Sequence, residues 1–374
     1  MNTELLKSKL LEAAFNGSLT HADTSKWENV NLNDVCEFDS GYAFASGDYK
    51  TEGTPLVRIS NIQNNEIDLS DAVCIQGEYP EQFIIHRGDL LIAMSGATTG
   101  KMGVYNLDKK AYLNQRVGKI RIKDEQIILP KYRNFFFQNQ TDNILRLASG
   151  SAQPNISGKM ILSLTVPLPP LAEQQRIVDA LEECFVYIDA AASAKQNLFK
   201  SAYLLRGKIL EDAISGTLIN ADTSTWTLMT LNDLFKITTG KKDANFGDRN
   251  GEYEFFTCSN TPLKSKTYSY DGDYLIMPGN GANIGQVRHY TGKFEAYQRT
   301  YLMQAIQPVN LDYVKFHLEN GWAKYNEDKI FGAATPYIKL GNLTSYPILL
   351  PPLAEQQRIV AKIEELFAEI DKLK

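Results

Sequence analysis

Histidine and cysteine are scarce, four of each in 374 residues, and neither type clusters. Cys36, Cys74, Cys184 and Cys258 form no Cys-x-x-Cys pair, and His21, His86, His289 and His317 stand apart. Neither a zinc site nor a disulfide framework is therefore expected, and the thiols read as the reduced cysteines of a cytoplasmic protein. Long apolar runs are missing as well. Met1-Asn2-Thr3-Glu4 opens an amphipathic stretch without a signal-peptide core, so neither a membrane span nor export is expected. A basic excess is also lacking: 39 Lys and Arg against 44 Asp and Glu leave a net charge of −5. That counts against a protein that coats DNA by itself, because non-specific affinity comes from Lys and Arg neutralising phosphates. It leaves room for a sequence reader with local basic loops, working beside basic partners.

Catalytic motifs are absent in the same way. Ser95-Gly96-Ala97-Thr98-Thr99-Gly100-Lys101-Met102 superficially resembles a phosphate-binding loop. It has three residues between its glycines where four are needed, and Met102 where the metal-binding Ser or Thr belongs. Gly279-Asn280-Gly281-Ala282-Asn283-Ile284-Gly285 misses the dinucleotide spacing G-x-G-x-x-G. No Asn/Asp-Pro-Pro-aromatic motif of an amino-methyltransferase occurs, and no nuclease-type Asp…Glu-x-Lys cluster stands out. No catalytic constellation, cofactor site or metal site is expected in this chain.

What the chain does have is a duplication. Leu168–Val178, Leu-Pro-Pro-Leu-Ala-Glu-Gln-Gln-Arg-Ile-Val, returns letter for letter at Leu350–Val360, an offset of 350 − 168 = 182. A second echo links Lys9–Trp27 to Lys208–Trp226 at an offset of 199, so the second copy is shorter by 199 − 182 = 17 residues between its Trp and its Pro-Pro. Two long copies imply pseudo-twofold symmetry, and double-stranded DNA is the commonest ligand of that symmetry.

After Pro169-Pro170 a long helical pattern opens at Leu171, with Val178, Leu181, Phe185, Ile188 and Ala192 stepping by 3, 4, 3, 4 as a heptad seam. Leu198, Leu205, Ile209 and Ala213 continue it to a stop at Gly216. Residues 171–214 would make about 66 Å of helix. The same pattern restarts after Pro351-Pro352 with Ile359, Ile363, Leu366, Ile370 and Leu373, and its missing half matches residues 3–15, with Leu6 and Leu10 on the seam and Gly17 as the stop. The expected layout is circular: globule, helix, globule, helix, cut inside the second helix. Its parts are an N-terminal helix at 1–26, a globule at 27–168, a central helix at 169–217, a second globule at 218–350 and a C-terminal helix at 351–374. The two long helices would run antiparallel as a coiled-coil spacer.

Both globules read as mainly β. Stretches such as Asp89-Leu90-Leu91-Ile92-Ala93 are bounded by Gly, Asn and Ser, and a strand is expected at 161–166. Three framework pairs keep their order between copies: Arg87–Ile92 with Asp271–Ile276, Asn114-Gln115-Arg116 with Tyr297-Gln298-Arg299, and Ser151–Ile156 with Ala333–Ile338. Framework kept while surface changes is how one scaffold would come to read two targets. Asn and Gln suit adenine edges, Arg and Lys suit guanine, and Lys, Ser and Thr suit phosphate. The candidate DNA contacts in the first globule are Tyr42, Phe44, Ser46, Arg58, Asn61, Gln63, Thr98, Thr99, Lys101, Gln115, Arg116, Gln153 and Asn155. Those in the second are Lys241, Lys242, Asn260, Asn280, Asn283, Gln298, Arg299, Tyr337 and Lys339. For each of these the competing reading is a solvated loop residue or a turn cap.

A chain of this length with two Pro-Pro-Leu-Ala-Glu-Gln-Gln-Arg-Ile-Val segments, each opening a long helix, resembles the specificity (S) subunits of type I restriction-modification enzymes. Gly41-Tyr42-Ala43-Phe44, Pro55–Ile62 and Gly150–Ser157 look like that family's first target-recognition domain, whereas Gly332-Ala333-Ala334-Thr335-Pro336-Tyr337 departs from its pattern. The resemblance implies an α+β chain of two mainly β target-recognition domains joined by the antiparallel helices. It implies a non-catalytic, cytoplasmic, host-defence subunit in which each globule binds half of a split, asymmetric DNA sequence. The implied partners are double-stranded DNA, two methyltransferase (M) subunits bringing S-adenosylmethionine, and restriction/translocase (R) subunits using ATP and Mg. A stand-alone methyltransferase with its own recognition domain and a two-domain protein-binding adaptor are the competing classes. Methyl transfer by the pure chain would mark the first, and failure to bind DNA even with methyltransferase partners would mark the second.

Overall fold

The computed structural model describes residues 2–63, 65–149, 154–332 and 334–373. It comprises two compact units, Met1–Ala194 and Lys195–Lys374, so the division falls inside the single helix Leu171–Ile214. Each unit contains a globule with a helical segment on either side of it in sequence.

In the first unit, the helix Thr3–Phe15 runs antiparallel to the first half of the central helix. Lys7 Nζ lies 2.7 Å from the Asp189 carboxylate, and further along the Arg176 guanidinium donates to the Thr20 carbonyl at 3.1 Å. Leu11 and Ala14 share one core with Ile177, Val178 and Leu181. In the second unit the later half of the central helix pairs antiparallel with Leu353–Asp371. Arg206 reaches Asp371 at 2.7 Å, Trp226 Nε1 donates to Glu355 at 2.8 Å, and Ile209 and Ala213 share a core with Ile359 and Ile363. The heptad seam is therefore buried at Val178, Leu181, Ile188, Ile209 and Ala213. It is not buried at Leu198 and Leu205, which are 39% and 49% exposed.

The offset-199 echo is a shared helix stop. Gly17 and Gly216 sit at φ +82° and +81°, the left-handed conformation that ends a helix without a Cβ penalty. The chain then makes a short turn to Asp23 or Asp222, whose carboxylate accepts from the N–H of Ser25 or Ser224. Hydrogen bonding from the Ser25 and Ser224 side chains, and after it from their backbone N–H groups, holds both carboxyls below the usual range.

The offset-182 echo is a clamp. Gln174 is fully buried; its Oε1 accepts from the Leu129 N–H at 2.9 Å and its Nε2 donates to the carbonyls of Ile127 (2.8 Å) and Pro169 (2.9 Å). Gln356 repeats this with the Asn310 N–H and the Pro351 carbonyl, both at 2.8 Å. The motif fastens each helix start to its globule. Gln174→Leu would remove the side-chain partner of three backbone groups, the Leu129 N–H and the Ile127 and Pro169 carbonyls, and should cost about 2–4 kcal/mol, read by urea unfolding. Gln175→Leu, at an exposed neighbour, should change stability by under about 0.5 kcal/mol. Equal effects of the two substitutions would contradict the clamp.

Each globule is closed by an antiparallel ribbon joining its ends, Glu28–Asn31 with Thr165–Leu168 and Thr227–Thr230 with Pro347–Leu350, in matching register (Val30 opposite Val166, Met229 opposite Ile348). The six-stranded sheets share their order. Cys36–Ser40, Val117–Ile122, Leu90–Ala93 and Met102–Val104 are antiparallel neighbours in the first unit. Phe235–Thr239, Thr300–Ala305, Tyr270–Pro278 and Arg288–Ala296 are so in the second. Both sheets then continue through a parallel strand, Asn65–Ile67 or Tyr253–Phe256. The first unit adds a four-stranded sheet of Cys74–Ile75, Thr54–Val57, Ala111–Leu113 and Ile84–Ile85, with no counterpart among the described residues of the shorter copy.

Two expectations change. The segment expected as a strand at 161–166 begins inside the helix Gly158–Leu162, capped by the Ser157 hydroxyl, and the strand is Thr165–Leu168. The globules also carry helices at Pro130–Asn139, Thr141–Ala148 and Leu311–Tyr325. Their aromatic runs, such as Phe135-Phe136-Phe137, look like strand composition, but those rings fill the core between helix and sheet. No helix among the described residues is long and apolar enough to cross a membrane.

Candidate nucleic-acid interface

Four segments converge at one end of the first sheet. The strand Cys36–Ser40 ends at Gly41, where a Cβ would lie 2.1 Å from the Asn114 oxygen, so only glycine permits the approach. Tyr42 bridges Asn114, and its carbonyl accepts from the Gln115 N–H at 2.9 Å. The Arg116 carbonyl accepts from the Met94 N–H at 2.9 Å, and the Met94 carbonyl accepts from the Ile156 N–H at 2.9 Å. Ser95 pairs with Asn155 in an antiparallel bridge.

The second sheet repeats the arrangement. A Cβ at Gly240 would lie 2.3 Å from the Ala296 and Tyr297 oxygens. Lys242 bridges Tyr297, and its carbonyl accepts from the Gln298 N–H at 2.9 Å. The Arg299 carbonyl accepts from the Gly279 N–H at 2.8 Å, the Gly279 carbonyl accepts from the Ile338 N–H at 3.0 Å, and Asn280 bridges Tyr337. In both units the backbone of a Gln-Arg turn is pinned on either side. The side chains of Gln115, Arg116, Gln298 and Arg299 are exposed, and among the described residues they have no hydrogen-bond or ion-pair partner.

The loops after the central strand also correspond. Gly96 and Gly100 have φ +85° and +83°, Gly281 and Gly285 +83° and +89°. The first loop leads into the strand Met102–Val104, not into a helix whose N-terminus would face a phosphate. Among the described residues no group of three or more His, Cys, Asp or Glu could hold a metal ion.

The structure divides the predicted contacts. Around the first Gln-Arg turn stand Tyr42, exposed on an aromatic cluster with Phe44, Tyr79 and Phe83, and the exposed Asn155. Gln63, Thr98 and Lys101 line a neighbouring groove of about 480 Å³ with Ser60. Lys101 and Ser46 are exposed, while the Gln63 amide donates to the Ser60 carbonyl at 3.1 Å. Arg58 is half-buried, its guanidinium 5.7 Å from the Tyr49 ring centroid. Around the second turn, Asn280, Gln298, Arg299 and Tyr337 line one groove of about 450 Å³. Lys241 and Asn260 are exposed, and Lys242 lies 3.8 Å from the fully buried Glu295 carboxylate.

Four candidates are withdrawn by their packing. Phe44 is only 6% exposed within the aromatic cluster. Asn61 is buried, accepting from the Arg58 N–H at 2.9 Å and donating to the Asp68 carbonyl at 3.0 Å, so its amide is a turn cap. The buried Thr99 hydroxyl donates to the Gly96 and Pro154 carbonyls. The Asn283 amide donates to the Cys258 carbonyl at 2.8 Å and holds its loop closed. Gln153 lies outside the described residues. Sequence reasoning missed Phe331, which stacks on Tyr337 at 5.6 Å with Lys339 Nζ 4.1 Å over its ring. It also missed Arg288, which donates to the carbonyls of Ser259 and Asn260, and whose pKa burial pushes down. Only the aromatic and basic character of 331–339 signals the first, and nothing local signals the second.

Residues 24–197 and 223–374 each match the family described as type I restriction modification DNA specificity domain. The EcoDI specificity subunit of Escherichia coli is 34% identical over 149 residues, 40% of this chain and 33% of its own length. The StySPI specificity subunit of Salmonella potsdam is 24% identical over 365 residues, 85% of this chain and 76% of its own. The chain thus spans a third of the EcoDI subunit and 45% of the EcoBI one. Among solved structures, a chain from "Structural basis underlying complex assembly and conformational transition of the type I R-M system" has a TM-score of 0.72 at 19% identity, covering 93% of this chain and 92% of its own. The HsdS subunit from Thermoanaerobacter tengcongensis gives 0.58 at 18%, over 93% and 91%. At these identities the likeness is one of fold.

Proposed function

The chain belongs to the type I restriction-modification DNA specificity family, and from that premise we propose that it is a non-catalytic subunit that reads a split, asymmetric sequence in double-stranded DNA. Each globule reads one half-site through the loops gathered at its Gln-Arg turn. The helix Leu171–Ile214 sets the separation of the half-sites. Two methyltransferase subunits bind the helices and adjoining globule faces and supply S-adenosylmethionine. Restriction/translocase subunits add ATP- and Mg-dependent translocation and cleavage. The net charge of −5 fits a reader whose partners provide much of the phosphate contact.

One observation carries this reading. The same pinned, solvent-facing turn occurs in both units, with Ser95 and Asn155 beside one and Asn280 and Tyr337 beside the other. A scaffold kept twice with different flanking side chains fits two targets read by one chain.

The test is co-expression with its methyltransferase partners in a host lacking adenine methylation, followed by genome-wide mapping of methyladenine. The expected result is one motif of two unlike blocks separated by a fixed unspecified gap. Methylation at a single continuous or palindromic block would contradict the reading, as would methyl transfer by the pure chain.

A further inference from the structure

The turns Gln115-Arg116 and Gln298-Arg299 are the same in sequence, in backbone hydrogen bonding and in exposure, yet they sit in globules whose neighbouring residues differ. The antiparallel bridge beside the turn is Ser95–Asn155 in one unit and Asn280–Tyr337 in the other, and the strand end that pins it is Tyr42 in one and Lys242 in the other. If both globules read different half-sites, a side chain present identically in both cannot be what makes the half-sites differ. Phosphates are the part of DNA that is alike at both. No acidic group among the described residues pairs with Arg116 or Arg299, so each guanidinium remains available to an anion.

We infer that the two Gln-Arg turns are equivalent anchors for the DNA backbone, one per half-site. The bridge residues that differ, Ser95 and Asn155 against Asn280 and Tyr337, determine base preference. This rests on the reading of the chain as a DNA specificity subunit. The anchor acts by position: four backbone hydrogen bonds on two units hold the turns, so the backbone needs little further ordering and only the arginine side chain is immobilised when the guanidinium meets a phosphate. The rival role for an exposed arginine is bidentate contact with guanine. It predicts a guanine at the equivalent place in both half-sites, lost from the preference when the arginine is removed.

The experiment uses the full chain assembled with its methyltransferase partners. Binding is measured to duplexes carrying the mapped motif, to every single-base variant of it, and across a salt series. Arg116→Ala and Arg299→Ala should each weaken binding on the order of tenfold for all duplexes alike. Each should also reduce the slope of log affinity against log salt by about 0.9, one phosphate contact. Arg299→Lys should restore the slope. Tyr337→Ala should shift base preference in one half-site with the slope unchanged. The inference is overturned if either alanine variant changes the preferred base at one position, or if neither alters the salt slope. Equal melting temperatures of wild type and variants exclude loss of folding. Failure of the wild-type complex to prefer any motif would refute the functional reading itself, and is distinguishable from these outcomes.

Discussion

Replacement of residues 227–350 by the corresponding globule of a relative is expected to abolish methylation at the original motif and create a new one that keeps one block and changes the other. The second globule begins and ends on one ribbon, Thr227–Thr230 against Pro347–Leu350, so a graft enters and leaves at adjacent points. Two attachments must survive the exchange. Trp226 donates to Glu355, and Gln356 accepts from the N–H of Asn310. A graft that keeps Trp226 and the C-terminal helix, and carries a backbone N–H at the position of Asn310, preserves both. The effect is all-or-none at a given sequence, because each mismatched base pair costs about 1–3 kcal/mol and a foreign half-site mismatches at several. Methylome mapping of the chimera checks it. Change in both blocks at once would show that the two readers are coupled.

Insertion of seven residues after Ala194 should change the gap between the blocks and neither block. Two turns keep the heptad seam in phase and add about 10 Å of helix, which corresponds to at most about three base pairs at roughly 3.4 Å each. The insertion point suits the purpose, since residues 193–201 are helical and exposed throughout, with no core side chain to displace. Mapped methylation should show both original blocks at a longer spacing, with loss of the original spacing. An active variant that keeps the old gap would show that the helix does not set it.

Much of this fold is legible in the sequence because its strongest signals are repeated. The offset-199 echo encodes a helix stop that only glycine at φ above +80° and an Asp cap satisfy, and the offset-182 echo encodes a buried glutamine clamp. Duplication located both, although the clamp's job shows only in the hydrogen bonds Gln174 makes with Ile127 and Leu129, more than forty residues away. Periodicity located the helices but misjudged Leu198 and Leu205, because burial depends on what lies opposite, and that is not written in one helix. The candidate site was legible where residues sit on exposed turns, as with Gln115-Arg116 and Gln298-Arg299. It was illegible where an amide faces inward. Asn61 and Asn155 look alike in sequence, yet one caps its own turn and the other is exposed.

The central claim is that the two units read two different half-sites as one split sequence. The most direct measurement is selection of bound duplexes by the purified full-length complex from a library randomised over about 20 base pairs, followed by sequencing. The account predicts a consensus of two unlike blocks at one fixed separation, with the bases between them unspecified. A consensus confined to one block, two identical inverted blocks, or two blocks at variable separation would contradict it.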